Sequence, residues 1–206
     1  MPAKLLLLFI LVLGTPIASA QTPVVLVLGD SLSAAYGIDR EKGWVSLLQQ
    51  RLTQTGHQER VVNASISGEA TSGGLARLAR ELDLHTPEIV IVELGGNDGL
   101  RGLSLDQTRN NLSAIITTAQ KQRAHVLLIG MQLPPNYGSA YTAAFQRIYA
   151  DLAAKHTVAL VPFLLDRLNY DQFQNDGIHP IAAAQPILLD NVWPQLEKLL
   201  EKPPAH

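Results

Sequence analysis

Short apolar runs alternate with amphipathic segments along most of the chain, and this alternation limits the fold more than any other feature of the sequence. The apolar runs lie at 24–28, 61–64, 89–94, 126–130 and 158–161. Most are continuous, which is typical of strands that are covered on both faces. Between the runs, large apolar residues recur at helical spacing. The pattern predicts an α/β fold with a five-stranded parallel sheet in the order 2-1-3-4-5 and helices on both sides.

The first twenty residues have the features of a secretory signal peptide. Lys4 precedes an apolar stretch at 5–13, and the small residues Ala-Ser-Ala follow at 18–20. A positive start, a short apolar core and small residues before a cleavage point define such a segment. The apolar stretch is too short to span a bilayer. We therefore expect a signal peptide at 1–20, cleavage near Ala20, and one exported domain at 21–206 that is periplasmic or secreted.

The composition of the 206-residue chain excludes several classes of protein. It has no cysteine, so neither disulfides nor a lipid-modified N-terminal cysteine is available. The formal net charge of −2 and the absence of charge runs give no basic footprint for nucleic acid. We expect a monomer with no nucleic-acid partner and no stable membrane anchor.

Polar, glycine-rich loops follow the first three predicted strands. They read GDSLS at 29–33, SISGE at 65–69 and GGNDG at 95–99, and the loop before the last helix reads NDGIHP at 175–180. The carboxyl ends of parallel strands meet at one edge of a sheet. The sequence therefore predicts one crevice that gathers a serine, a glycine amide, an asparagine, an aspartate and a histidine.

These residue types are the ones that acyl transfer requires. A serine hydroxyl such as that of Ser31 is a weak nucleophile and needs a base, which His179 can provide near neutral pH. Asp176 precedes His179 by three residues and can fix its tautomer. The backbone amides of Ser31 and Gly68 and the side chain of Asn97 can donate to an oxyanion. The predicted catalytic residues are Ser31, Asp176 and His179, and the predicted oxyanion hole is Ser31, Gly68 and Asn97.

The same segments resemble a known family. GDSL, GGND and DGIH are similar to the blocks of the GDSL or SGNH hydrolases. VVNASISGE, VELGGNDGLRG and LPPNYG resemble the bacterial multifunctional thioesterase I group, which acts as arylesterase, acyl thioesterase and lysophospholipase. The resemblance covers essentially all of 21–206. It implies a three-layer flavodoxin-like (SGNH hydrolase) fold, no cofactor, no metal, and the same roles for the five residues named above.

The resemblance also implies a substrate-binding loop. In the similar thioesterases, the loop after the oxyanion asparagine moves over the bound acyl chain, and here that loop is GLRGLSL at 99–105. LPPNYG at 133–138 follows the fourth strand and is expected to line the same groove. Six residues are therefore predicted to contact an acyl substrate: Gly99, Leu100, Leu103, Leu105, Pro135 and Tyr137.

Three acidic residues near these loops have a structural interpretation. Asp30 and Asp98 are expected to cap exposed loop amides. Glu93 lies inside an apolar strand, and a buried carboxylate needs hydrogen-bond partners. We expect a structural role for all three rather than a role in proton transfer.

The sequence leaves alternatives to an esterase or thioesterase open. One is a carbohydrate or peptidoglycan O-acetylesterase on the same scaffold, and the other is a flavodoxin-like binding module without catalysis. No pair of histidines has metal-ligand spacing, so we do not expect a metal site. The natural substrate and the preferred acyl chain length are not set by these motifs.

Overall fold

The computed structural model describes residues 22–202 and contains a five-stranded sheet in the order β2-β1-β3-β4-β5. The strands are β1 Val24–Gly29, β2 Arg60–Asn63, β3 Ile89–Glu93, β4 His125–Ile129 and β5 Ala159–Val161. Every neighbouring pair is parallel. The predicted strand order is confirmed, whereas the predicted signal peptide lies outside the described residues.

Six α-helices connect and cover the strands within residues 22–202. They are α1 Trp44–Gln54, α2 Thr71–His85, α3 Gly96–Leu100, α4 Leu105–Lys121, α5 Ser139–His156 and α6 Gln185–Leu200. Helix α1 packs against α6, and α4 packs against both α2 and α5. The chain crosses from β1 to β2 in one direction along the sheet and makes its later crossovers in the other direction. Because crossovers between parallel strands are right-handed, the helices of the first crossover and those of the later ones lie on opposite faces of the sheet. The predicted three-layer arrangement follows.

The apolar content of each strand matches its position in the sheet. All residues of β1 and β3, two of the three strands that have a neighbour on both sides, are buried. The edge strand β2 is only partly buried. Burial of such side chains contributes about 25 cal/mol per Å² of apolar area, so the central strands anchor the core. The sheet's carboxyl edge is thereby a rigid base for the loops that follow β1 and β3.

No helix in the part of the chain that the structure describes is both long enough and apolar enough to cross a membrane.

Candidate active site

A cleft of about 560 Å³ opens at the carboxyl edge of the sheet. It receives residues from the loops after each of the five strands and from the loop before α6, as the strand order requires. Ser31, Gly68, Asn97 and His179 all lie in its lining. Most of the remaining lining is apolar: Leu32, Tyr36, Leu100, Met131, Leu133, Pro134, Phe163, Leu165, Phe173 and Ile178.

The loop that presents Ser31 turns sharply where β1 ends. The Ala34 backbone N–H donates to the Asp30 carbonyl over 2.9 Å, and the Leu32 backbone N–H donates to Oδ1 of Asp30 over 3.1 Å. A Cβ atom at Gly29 would lie 2.8 Å from a carboxylate oxygen of Glu93 and from the side chain of Ser33. Only glycine therefore fits at the point where the strand turns toward Ser31.

Ser31, His179 and Asp176 form a continuous chain of hydrogen bonds. Oγ of Ser31 lies 2.8 Å from Nε2 of His179, and Nδ1 of His179 lies 2.7 Å from Oδ2 of Asp176. A carboxylate can only accept at neutral pH, so Nδ1 carries the proton that it donates to Asp176. Nε2 is then left as the acceptor for the Ser31 hydroxyl. This arrangement can move a proton from the serine to the imidazole.

Asp176 is fixed by the backbone of its own loop. Its Oδ1 accepts from the backbone N–H of Ile178 over 2.9 Å and from that of His179 over 3.0 Å. The hydrogen bond from the His179 backbone is the largest of the causes that lower the pKa of Asp176 to about 2, and the bond from the imidazole adds to it. Asp176 therefore remains ionised, and the orientation of the imidazole is held, far below neutral pH.

The three predicted oxyanion donors lie around the same cleft. Asn97 is in the first turn of the short helix α3, and its Nδ2 donates to Oδ2 of Asp30 over 2.9 Å. Gly68 has a φ of +79°, a backbone conformation that favours glycine. Nη2 of Arg101 donates to the Gly68 carbonyl over 2.8 Å and approaches Oδ1 of Asn97 at 3.4 Å. One guanidinium therefore connects the two loops that would supply these donors.

Asp30 and Asp98 do cap loop amides, but they are buried rather than exposed. Asp30 accepts from the Leu32 amide, and Asp98 accepts from the backbone N–H of Thr71 over 2.8 Å. The relative exposures are only 2% for Asp30 and 3% for Asp98. The sequence-based expectation of exposed loop amides was wrong, because the amides belong to Leu32 and Thr71, which are both buried.

Glu93 lies directly beneath the loop that carries Ser31. It is fully buried, and its Oε2 accepts from Oγ of Ser33 over 2.6 Å and from the Asp30 backbone N–H over 3.2 Å. Burial, and then the nearby charge of Asp30, raise the pKa of Glu93 well above its ordinary value. Burial also raises the pKa of Asp30 to about 6. The expected hydrogen-bonded structural role of Glu93 agrees with these contacts.

Of the six predicted substrate contacts, Leu100 lines the cleft. Gly99 is buried in α3, Leu105 begins α4, and Leu103 is exposed between these helices. Pro135 and Tyr137 form a single turn of 3-10 helix outside the lining, although the Tyr137 hydroxyl donates to the Leu100 carbonyl over 3.0 Å. These assignments as substrate contacts stay predictions.

Sequence reasoning missed part of the apolar wall of the cleft. Leu133 and Pro134 belong to the segment at 133–138 that was expected there, whereas Met131 after β4 and Phe163 and Leu165 after β5 were not predicted. The available signal was their position directly after two strands of the parallel sheet, where side chains reach the carboxyl edge. Tyr36 was also missed, and it lies five residues beyond Ser31 in the same loop.

No group of three or more acidic, histidine or cysteine side chains within residues 22–202 is arranged to hold a metal ion.

A hydrogen-bonded Ser–His–Asp chain at the carboxyl edge of a 2-1-3-4-5 sheet defines a serine hydrolase. The chain belongs to the GDSL-like lipase/acylhydrolase family, whose model matches residues 27–185. It is an enzyme that hydrolyses ester bonds, as predicted from the motifs.

The chain is similar in sequence and structure to bacterial proteins that are named esterases and thioesterases. It is 54% identical over 192 residues to Esterase TesA of Pseudomonas aeruginosa, covering 92% of this chain and 94% of the relative. It is 43% identical over 195 residues to Thioesterase 1/protease 1/lysophospholipase L1 of Escherichia coli strain K12, covering 94% and 91%. The crystal structure of TesA matches with a TM-score of 0.84 at 53% identity, covering 85% of this chain and 99% of that one.

Proposed function

We propose that this protein hydrolyses carboxylic esters and acyl thioesters through an acyl-enzyme on Ser31. The observation that carries the proposal is the hydrogen-bonded chain from Ser31 through His179 to Asp176 at the base of an apolar cleft. The proposed substrates are aryl esters, fatty acyl thioesters and lysophospholipids.

In the first half of the reaction, Oγ of Ser31 attacks the acyl carbonyl carbon while Nε2 of His179 takes the hydroxyl proton. The carbonyl oxygen becomes an oxyanion, and the imidazole becomes positively charged. Asp176 stabilises that charge from the far side of the ring. The bond from the acyl carbon to the leaving oxygen or sulfur then breaks, and His179 returns its proton to the leaving alcohol or thiol.

In the second half, water replaces the serine as the nucleophile. His179 takes a proton from water, whose oxygen attacks the acyl carbon of the Ser31 ester. The bond between that carbon and Oγ breaks, and the proton returns to Ser31. The products are the free acid and the regenerated enzyme.

The amides of Ser31 and Gly68 and the side chain of Asn97 would donate to the oxyanion in both halves. The Asn97 amide offers two N–H groups, of which Asp30 accepts one. The remaining N–H is free to donate into the cleft. Donors that are already in position need not reorient when the negative charge develops on the oxygen. They therefore stabilise the transition state at little cost in free energy.

The lining of the cleft favours acyl chains over acetylated sugars. Leu100, Met131, Leu133, Phe163 and Leu165 provide an apolar surface beyond the two-carbon length of an acetyl group. Relatives with the names esterase and thioesterase/lysophospholipase support the same choice. An O-acetylesterase would instead need polar groups that hold the hydroxyls of a sugar.

We propose in addition that the enzyme is exported and acts as a monomer. The signal-peptide features of residues 1–20 support export to the periplasm or the medium. No contact in the described residues requires a second copy to complete the Ser31, His179 and Asp176 arrangement.

The test is a substrate panel on the purified protein without residues 1–20. Aryl esters and acyl thioesters of rising chain length are compared with acetylated sugars, with Ser31→Ala as the matched control. We expect hydrolysis of acyl esters that the control lacks. Hydrolysis confined to acetylated sugars, or equal activity of the control, would overturn the proposal.

A further inference from the structure

The aromatic ring of Tyr36 lies against the imidazole of His179. The two ring centroids are 4.4 Å apart, with an angle of 39° between the ring planes. Tyr36 lines the cleft and remains 51% exposed, so the ring covers the imidazole from the side of the solvent. An exposed tyrosine in van der Waals range of the proposed general base requires an explanation, because burial does not account for its position.

Hydrogen bonds hold the two segments that carry the rings. The Tyr36 N–H donates to the Ser31 carbonyl over 3.1 Å, which turns the loop back over the nucleophile. The side chain of Gln174 donates to the Tyr36 carbonyl over 2.9 Å, and the Gln174 backbone N–H donates to the His179 carbonyl over 2.7 Å. A single residue therefore ties the segment of Tyr36 to the segment of His179.

We propose that Tyr36 is a positioning residue that packs on the His179 ring and stabilises the imidazolium formed during acyl transfer. The inference rests on the proposed function, in which His179 takes the proton of Ser31. The face of a tyrosine ring carries a negative partial charge and attracts a cation within about 6 Å of the centroid. The attraction is stronger when the imidazole is charged than when it is neutral, so it lowers the barrier rather than only aiding binding.

Other charges around His179 do not replace this contact. Asp176 faces Nδ1 at 2.7 Å, and the carboxyl of Asp30 interacts electrostatically with His179 from the nucleophile loop. Both remain in any variant of Tyr36, so a change in activity reports on the ring itself. The Tyr36 hydroxyl makes no hydrogen bond to any described residue, and we therefore expect phenylalanine to serve as well as tyrosine.

The experiment compares Tyr36→Phe and Tyr36→Leu, with Tyr170→Leu as the control at a tyrosine that is 90% exposed. Leucine keeps an apolar group beside the imidazole but lacks an aromatic face. We expect Tyr36→Leu to lower kcat on a short-chain aryl ester by about two- to thirty-fold, the range of such a contact. The acidic limb of its pH profile should move by about 0.4–1.5 pH units to lower pH. Tyr36→Phe and Tyr170→Leu should behave as the unmodified enzyme.

Several results would overturn the inference. They are an unchanged kcat and acidic limb in Tyr36→Leu, or an equal loss in Tyr36→Phe and Tyr36→Leu. A loss of kcat that accompanies a lowered melting temperature in Tyr36→Leu, with no shift of the acidic limb, would indicate a structural role and also overturn it. Failure of the proposed function is distinguishable, because the unmodified enzyme would then be inactive or Ser31→Ala would be active.

Discussion

Asn97 and Asp30 are joined by a hydrogen bond of 2.9 Å from the side-chain amide to Oδ2 of the carboxyl. Arg101 approaches the other end of the same amide, with Nη2 at 3.4 Å from Oδ1. A carboxylate on the nitrogen side and a guanidinium on the oxygen side allow only one orientation of the amide. These two contacts use one N–H of the Asn97 amide and leave the second N–H available.

Replacing Asn97 by alanine therefore separates catalysis from folding. Loss of one oxyanion donor should lower kcat by about 10²–10³. KM should change little, because the contact forms mainly in the transition state. Steady-state kinetics and the melting temperature, measured on the same preparation, test this expectation.

The competing outcome for Asn97→Ala is a purely structural one. If Asn97 served only to hold the loop before α3, the variant would lose about 1 kcal/mol of stability and keep its kcat. A stable variant with unchanged kcat would likewise remove Asn97 from the oxyanion hole.

The acyl-chain preference should depend on Leu100, which lines the cleft. Truncation to alanine removes apolar contact with an acyl chain that is long enough to reach residue 100. Each Å² of apolar surface that is no longer buried costs about 25 cal/mol of binding free energy. We expect Leu100→Ala to lower kcat/KM for long acyl esters by about tenfold and for acetyl esters only slightly. Kinetics over a series of chain lengths measures the difference.

Leu103→Ala is the informative companion, because Leu103 is exposed and lies outside the lining. An equal effect on long chains would mean that the segment at 99–105 moves onto the bound chain. Equal losses on long and short substrates in both variants would remove this segment from chain recognition.

The sequence predicted the sheet order, and the loops that meet in one cleft, because both depend on local patterns. Continuous apolar runs mark the strands, and a parallel sheet must bring the loops of Ser31 and Asn97 to one edge. Asp176 and His179 are close in sequence, so their contact could also be predicted. These features require no knowledge of side-chain packing.

The side-chain packing of the apolar wall of the cleft and the hydrogen-bond partners of Asp30 do not follow from local patterns alone. Phe163 and Leu165 reach the cleft only because β5 lies beside β4 and its loop returns over the sheet. Asp30 is buried by the close approach of α3, which sequence spacing does not reveal. Both depend on long-range packing, and the expectation that Asp30 caps an exposed loop amide failed for that reason.

Activity should fall on acidification. A protonated His179 cannot accept the proton of Ser31, so the neutral imidazole is the active form. The pKa of Asp176 is lowered to about 2, so this group stays charged and does not set the acidic limb. We expect kcat/KM to fall about tenfold for each pH unit below the midpoint. A profile that is flat down to pH 4 would contradict His179 as the base.

The stability of the folded protein should fall as the pH rises, because the buried carboxyl of Glu93 favours its protonated form. Its pKa is raised above the unfolded value of 4.5, so the folded state binds the proton more tightly than the unfolded chain. The stabilisation from this difference is present below pH 4.5 and is lost as the pH rises toward the folded pKa. Glutamine is neutral at every pH and can still accept from Ser33. We expect the melting temperature of Glu93→Gln to decline less between pH 5 and 8 than that of the unmodified protein.

Glu201→Gln, at an exposed site after α6, is the control for the removal of a carboxylate. Its melting temperature should follow the unmodified protein across the same pH range. Parallel curves for Glu93→Gln and the unmodified protein would show that Glu93 is not held in its neutral form.

Covalent labelling of Ser31 tests the central claim most directly. A fluorophosphonate reacts with a serine that a neighbouring base activates: the serine oxygen displaces fluoride from phosphorus, and the tetrahedral adduct mimics the reaction intermediate. After incubation, the intact mass gives the stoichiometry of labelling, and peptide mass spectrometry gives the position. We predict one label per chain on Ser31, none on Ser31→Ala, and much slower labelling of His179→Ala. A folded, unlabelled protein, or a label on another serine, would contradict the assignment of Ser31 as the nucleophile.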